Sequence, residues 1–130
     1  MKLNTKVRYG LRAMIEIATH KNGGILQKDI AKKQDIPLKY LDAIIKGLRS
    51  RGLIINYKGK KSGYILTKPA NKISIYDIYR SYEPELCLID CICLPCTCGK
   101  NNKCPSREIW VEVNTVLKKT LMKKYLSDII

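Results

Sequence analysis

Apolar residues recur at helical spacing over residues 5–21, where Val7, Leu11, Met14, Ile15 and Ala18 form a stripe that Ala13 and Ile17 widen. Asn22-Gly23-Gly24 stops that helix. A shorter helical pattern, Gln27-Lys28-Asp29-Ile30-Ala31-Lys32-Lys33-Gln34, ends at Asp35-Ile36-Pro37. Pro37 cannot continue it but suits the first turn of a new helix, with apolar positions Leu38, Leu41, Ile44, Ile45 and Leu48 and a stop at Gly52. The pattern then becomes strand-like. Leu53-Ile54-Ile55-Asn56-Tyr57 and Tyr64-Ile65-Leu66-Thr67 flank Lys58-Gly59-Lys60-Lys61-Ser62-Gly63, which predicts a hairpin with a basic tip. After the connector Pro69-Ala70-Asn71, a short helix is expected to open at Ser74, capped against Asp77, with Ile75, Ile78, Tyr79 and Tyr82 as its buried face. Pro105 and Ser106 open a last helix whose stripe runs through Ile109, Trp110, Val113, Val116, Leu117, Thr120 and Leu121.

Two helices joined by a tight turn and followed by a hairpin make a winged helix-turn-helix. The predicted fold is therefore mainly α with a small β-hairpin wing. It divides into a winged helix-turn-helix domain at 1–82, a cysteine-rich loop at 83–105, and a dimerisation helix and tail at 106–130. The last stripe is longer than a small domain can cover, so the expected partner of that helix is a second copy of the chain, a homodimer suited to a palindromic operator.

Charge sharpens this picture. Residues 1–72 carry 17 Lys and Arg against four Asp and Glu, whereas the remaining 58 carry eight against seven. A basic half joined to a near-neutral one points the first half at a polyanion, here double-stranded DNA. Residues at the start of the second helix of the pair enter the major groove, which selects Lys39, Tyr40, Asp42 and Ala43, with Lys28 on the preceding helix as a further contact. Lys58, Lys60 and Lys61 at the wing tip suit phosphates or the minor groove. Arg8 and Arg12, one turn apart, either touch phosphate or stand in water. His20, the only histidine, sits at a helix C-terminus, where positive charge is favoured without any function.

All six cysteines, Cys87, Cys91, Cys93, Cys96, Cys98 and Cys104, fall within eighteen residues that also hold Pro95, Gly99 and Asn101-Asn102. Such a stretch is a loop shaped by what its sulfurs bind. The N-terminal residues fit neither a secretory segment nor a membrane span, so a cytoplasmic location is expected. In that reducing compartment metal or redox sensing is favoured over structural disulfides. Thiolates suit an iron-sulfur cluster and zinc alike. The two-cluster ferredoxin spacing is absent, as is a Walker pattern around Gly59-Lys60-Lys61-Ser62, and His20 has no evident nucleophile to activate. An electron carrier is thus the weaker alternative, and an enzyme is not expected.

The order of parts resembles the winged-helix bacterial regulators that include IscR, NsrR and CymR (the Rrf family). The resemblance spans nearly the whole chain. It rests on Leu3-Asn4-Thr5-Lys6-Val7-Arg8-Tyr9-Gly10-Leu11-Arg12-Ala13-Met14, Asp29-Ile30-Ala31, Lys39-Tyr40-Leu41, Leu48-Arg49-Ser50-Arg51-Gly52-Leu53, Gly63-Tyr64-Ile65-Leu66 and Ile73-Ser74-Ile75-Tyr76-Asp77-Ile78. It implies a DNA-binding transcriptional regulator, a repressor, whose operator affinity follows an iron-sulfur cluster sensing cluster supply, oxygen or nitric oxide. The alternative is a zinc-stabilised or cluster-free regulator answering another signal. Cluster-binding members carry three cysteines followed by a tryptophan. Cys98, Cys104 and Trp110 match that frame, and Cys91 fits the first position, with Cys93 as its neighbouring alternative. Arg107 stands where some members carry a histidine ligand and Arg8 lies where others carry an acidic one. The resemblance leaves the fourth position to a surplus cysteine or a small external ligand.

Overall fold

The computed structural model describes residues 2–20, 23–59, 62–89 and 105–130. Helix α1, Thr5–Thr19, starts where the Asn4 side chain accepts a hydrogen bond from the Lys6 N–H at 2.9 Å. It ends at His20, whose extended backbone donates to the Glu16 carbonyl. Helix α2, Gln27–Gln34, leads to Asp35 in the left-handed region, with φ 52° and ψ 49°, and its N–H returns to the Ala31 carbonyl. That reversal drops the buried Ile36 into the core and aims the chain into α3, Leu38–Ser50. Pro37 is not in the first turn of α3, as the sequence suggests, but precedes it in an extended conformation and accepts the Leu41 N–H at 2.9 Å. Its missing N–H costs nothing there.

Strands β1, Ile54–Asn56, and β2, Tyr64–Leu66, pair antiparallel in the register Ile54↔Leu66, Ile55↔Ile65 and Asn56↔Tyr64. Bonds from Thr67 N–H to the Leu53 carbonyl, 3.0 Å, and from Tyr57 N–H to the Gly63 carbonyl, 2.9 Å, extend the pairing at both ends. Ile25 joins from the other side by exchanging two backbone bonds with Tyr64, of 3.1 and 2.9 Å. That close approach needs glycine. A Cβ on Gly24 would lie 2.6 Å from the Ser62 carbonyl oxygen, and one on Gly63, where φ is +89°, 2.6 Å from the Gly24 backbone.

After a 3-10 turn at Ala70–Lys72 comes α4, Ile75–Arg80. Its capping box is reciprocal, with Ser74 N–H to Asp77 Oδ2 at 3.0 Å and Asp77 N–H to Ser74 Oγ at 3.1 Å. Its buried residues are Tyr76 and Ile78, with Ile75, Tyr79 and Tyr82 only half-buried. The expected face is thus rotated, because α4 packs against α1 on one side and the long terminal helix α5, Pro105–Lys123, on the other. The chain closes with a second 3-10 turn, Leu126–Ile129, whose Leu126 is fully buried. The core draws Ala13, Met14 and Ile17 from α1, Ile30 from α2, and Leu41, Ile44, Ile45 and Leu48 from α3. Ile25, Leu53, Ile54, Ile73, Ile78 and Leu126 complete it.

Tyr82, just past α4, lies in a slot formed by two glycines on different helices. A Cβ on Gly10 of α1 would sit 2.5 Å from its ring, and one on Gly47 of α3 2.4 Å. Its hydroxyl donates to the Ile44 carbonyl at 2.6 Å, and burial holds the phenol well above its ordinary pKa, so it remains a donor. Gly47→Ala should therefore evict a rigid ring together with its hydrogen bond, and urea titration should show a loss of about 1–3 kcal/mol. Unchanged stability would mean that the ring has room to move.

Candidate nucleic-acid interface and the approach to the cysteines

Helix α3 commits Leu41, Ile44, Ile45 and Leu48 to the core, and this fixes which side chains look outward. Lys39, Asp42, Ala43 and Lys46 are exposed along the opposite stripe, followed by Arg49 and Ser50. The same periodicity yields Lys46 and Arg49, which the sequence reading passed over. Asp42 is not loose: its carboxylate accepts a hydrogen bond from Gln27 at the start of α2. Gln27 was likewise missed, since nothing in the sequence links positions fifteen apart. Lys28 is exposed on α2, beside the exposed Lys32 and Lys33.

Tyr40 is half-buried, its ring meeting that of Tyr9 edge-on at 5.3 Å and 86°. The Arg12 guanidinium lies over the Tyr9 ring at 5.2 Å, donates to Gln34 Oε1 at 3.1 Å, and also reaches the Gln34 carbonyl. Gln34 in turn donates to Glu16 at 2.5 Å. Arg12 is half-buried and closes the end of α2 on α1, whereas Arg8 is exposed.

On the wing, Lys58 is exposed with its ammonium 5.2 Å from the Tyr57 ring centre. Its backbone N–H donates to Ser62 Oγ at 2.7 Å, and Ser62 donates to the Gly59 carbonyl at 2.7 Å. Lys60 and Lys61 lie outside the described residues.

So do the proposed ligands Cys91, Cys98 and Cys104, together with Cys93 and Cys96. Cys87, the one cysteine among the described residues, is disulfide-bonded. The backbone on either side of it is pinned by Asn114 of α5, which donates from Nδ2 to the Leu86 carbonyl at 3.1 Å and accepts the Leu88 N–H on Oδ1 at 2.9 Å. Leu86 is buried, and its N–H donates to the Tyr76 hydroxyl at 3.3 Å. Lys118 of α5 pairs with Glu85, holding that carboxyl below its ordinary range. Among the described residues no three His, Cys, Asp or Glu side chains converge on a possible metal position. On α5 the apolar side chains of Ile109 and Val116 remain 58% and 57% exposed, with Trp110 and Val113 exposed beside them. These four do not serve the core of this chain.

A helix-turn-helix with a hairpin wing and an outward basic stripe on its second helix defines a winged-helix DNA-binding protein. The chain belongs to the Rrf2 family, described as iron-dependent transcriptional regulators, which it matches over residues 3–130. It is 33% identical over 130 residues to Protein rrf2 of Nitratidesulfovibrio vulgaris Hildenborough, covering 99% of this chain and 87% of that one. The solved structure of CymR (YrzC), the global cysteine regulator of B. subtilis, superposes with a TM-score of 0.82 at 30% identity, covering 98% of this chain and 94% of CymR. T. potens IscR superposes with a TM-score of 0.78 at 29% identity, covering 98% and 85%. The family consists of DNA-binding transcriptional regulators, so the chain is a regulator and not an enzyme. Among the described residues no helix is long and apolar enough to cross a membrane.

Proposed function

We propose that the chain is a homodimeric repressor whose affinity for a double-stranded DNA operator is set by an iron-sulfur cluster held by Cys91, Cys98 and Cys104. The observation that carries the DNA reading is the division of α3 into a buried apolar face and an exposed face of Lys39, Asp42, Ala43 and Lys46. Bases are read by such a face: lysine donates to guanine, and the carboxylate of Asp42, oriented by Gln27, accepts from cytosine. Tyr40 supports the face through Tyr9 more than it extends it. Lys28, Lys58, Lys60 and Lys61 supply phosphate contacts that position the domain.

For the cluster, the donor set is chemically suited, being soft thiolates in a turn-rich loop, and the family description is iron-dependent. A bound cluster would supply a centre that oxygen or nitric oxide alters. The chain's own part is to hold the entrance of that loop against α5 through Asn114, so that ordering the loop bears on the dimer face. Anaerobically purified protein should be coloured and contain iron and acid-labile sulfide in equal amounts. A colourless protein with stoichiometric zinc would overturn the cluster reading. A second reading, a cluster-free regulator responding to thiol state, is favoured by the disulfide at Cys87 and by the likeness to the global cysteine regulator. Colourless, metal-free protein whose operator affinity changes on reduction would establish it.

The wing contributes a separate expectation. Alanine at Lys58, Lys60 and Lys61 together should weaken binding to a duplex recovered by selection from a random pool. It should also reduce the slope of log affinity against log salt by roughly 0.9 per lost phosphate contact. A slope equal to that of the wild type excludes the wing from the interface.

A further inference from the structure

We infer that residues 82–88 are a strap that transmits the state of the cysteine segment to the DNA-reading helix, with Tyr82 and Asn114 as the positioning residues at its two ends. The inference rests on the reading of that segment as the sensor. It adds the route by which sensing reaches α3.

The ties of the strap reach all the helices around it: α1, α3, α4 and α5. Tyr82 is inserted between α1 and α3, and its hydroxyl is bonded to the Ile44 carbonyl in the middle of α3. Ile44 follows the exposed Ala43 directly and lies two residues before the exposed Lys46. The inner surface that Tyr82 holds therefore belongs to the same turns that present the outward face. Glu83 accepts the Asn4 side-chain N–H at 2.6 Å, which fixes the strap to the start of α1. Leu86 is tied to α4 through the Tyr76 hydroxyl. Leu86 and Leu88 are both tied to α5 through one amide, that of Asn114, and Cys87 lies between them.

Asn114 is the only residue of α5 that is buried, at 8% exposed, and it is polar. An asparagine there lowers helix propensity and must be desolvated, and both its amide groups are spent on strap backbone rather than on another side chain. Its bonds satisfy the Leu86 carbonyl and the Leu88 N–H where an apolar residue would leave both without a partner. A shift of the backbone around Cys87 acts on the two amide bonds that hold it to α5. Through Asn114 it bears on α5, and through the chain back to residue 82 it bears on Tyr82, which sits close against Gly10 and Gly47. Packed elements of that kind shift between discrete arrangements.

The test is a ratio. Operator affinity is measured by fluorescence anisotropy on the selected duplex, for the full chain reconstituted anaerobically with iron and sulfide and for the apo chain. The wild type should show affinities differing about 5- to 150-fold, the usual range of coupling between sites. Tyr82→Phe keeps the ring in its slot and removes only the bond to Ile44, while Asn114→Leu removes both strap bonds at similar volume. Each should bring the ratio below about threefold. A merely structural defect lowers both affinities together and leaves their ratio intact. By reciprocity, duplex should alter the apparent iron affinity, read in a chelator competition, for the wild type by the same factor, and much less for Tyr82→Phe. If Asn114→Leu fails to fold, Tyr82→Phe decides alone. A responsive wild type whose ratio both variants retain overturns the strap and leaves the sensor reading standing. A wild type with a ratio of one overturns the sensor reading, and the strap with it.

Discussion

Serine at Cys98 or at Cys104 is expected to take iron and acid-labile sulfide from stoichiometric to near zero in anaerobically isolated protein, and to make operator affinity indifferent to oxidants. A serine hydroxyl stays protonated where a thiol gives up its proton, and oxygen is a harder donor than these clusters select, so loss of one of three protein ligands is not made good by the substitution. Serine at Cys87 is expected to do much less. That residue lies outside the three-cysteine frame, is disulfide-bonded here, and has its backbone held by Asn114 whatever its side chain is. Iron and sulfide analysis with visible spectra on the three variants distinguishes the cases. Full iron content and an ordinary oxidant response at both Cys98→Ser and Cys104→Ser would sink the ligand assignment.

Aspartate at Ile109 and Val116 together is expected to convert a dimer into a monomer and to lower operator affinity by about 10²- to 10⁴-fold, the avidity lost when two half-sites are no longer engaged by linked domains. The two positions are two turns apart on one face of α5, are more than half exposed in the single chain, and serve no core contact that aspartate would ruin. Folding should survive, as circular dichroism would report, while two like charges per chain face each other across the proposed symmetry axis. Sedimentation velocity reads the outcome directly. A wild type that sediments as a monomer with full operator affinity would refute the assignment of this face.

Those two expectations draw on different parts of the sequence's legibility. The stripe of α3, the bounds of α2 and the Ser74/Asp77 capping box were readable, because each depends on residues within one turn or one period of one another, whereas the buried face of α1 is turned toward Ala13 and Ile17, leaving Leu11, Ile15 and Ala18 half-buried. What escaped depends on contacts at long separation. Arg12 looked available for phosphate until Gln34, 22 residues on, was found to engage it. Tyr76 displaced Tyr79 as the buried tyrosine because α4 is covered on two sides, which no single-helix period expresses. The Tyr82 slot requires glycines at positions 10 and 47 to meet, and neither glycine is unusual in its own helix. Asn114 went unnoticed, because its partners Leu88 and Leu86 lie 26 and 28 residues before it. The three proposed metal ligands remain a matter of sequence and family frame, since they fall outside the described residues.

The two backbone bonds between Ile25 and Tyr64 have a consequence for how a binding site is measured out along DNA. Ile25 is two residues from the start of α2, so the base of the wing and the helix-turn-helix are stitched into one sheet-anchored body before any DNA arrives. The separation between α3 and the base of the wing is therefore set in the folded chain. Its ordering entropy, about 1–2 kcal/mol for each backbone residue, is already met in folding at the base of the hairpin. On the proposed mode of binding, an operator half-site would have one preferred internal length. A single inserted base pair would then carry the wing's target roughly a tenth of a turn around the duplex, out of register with a wing anchored at its base.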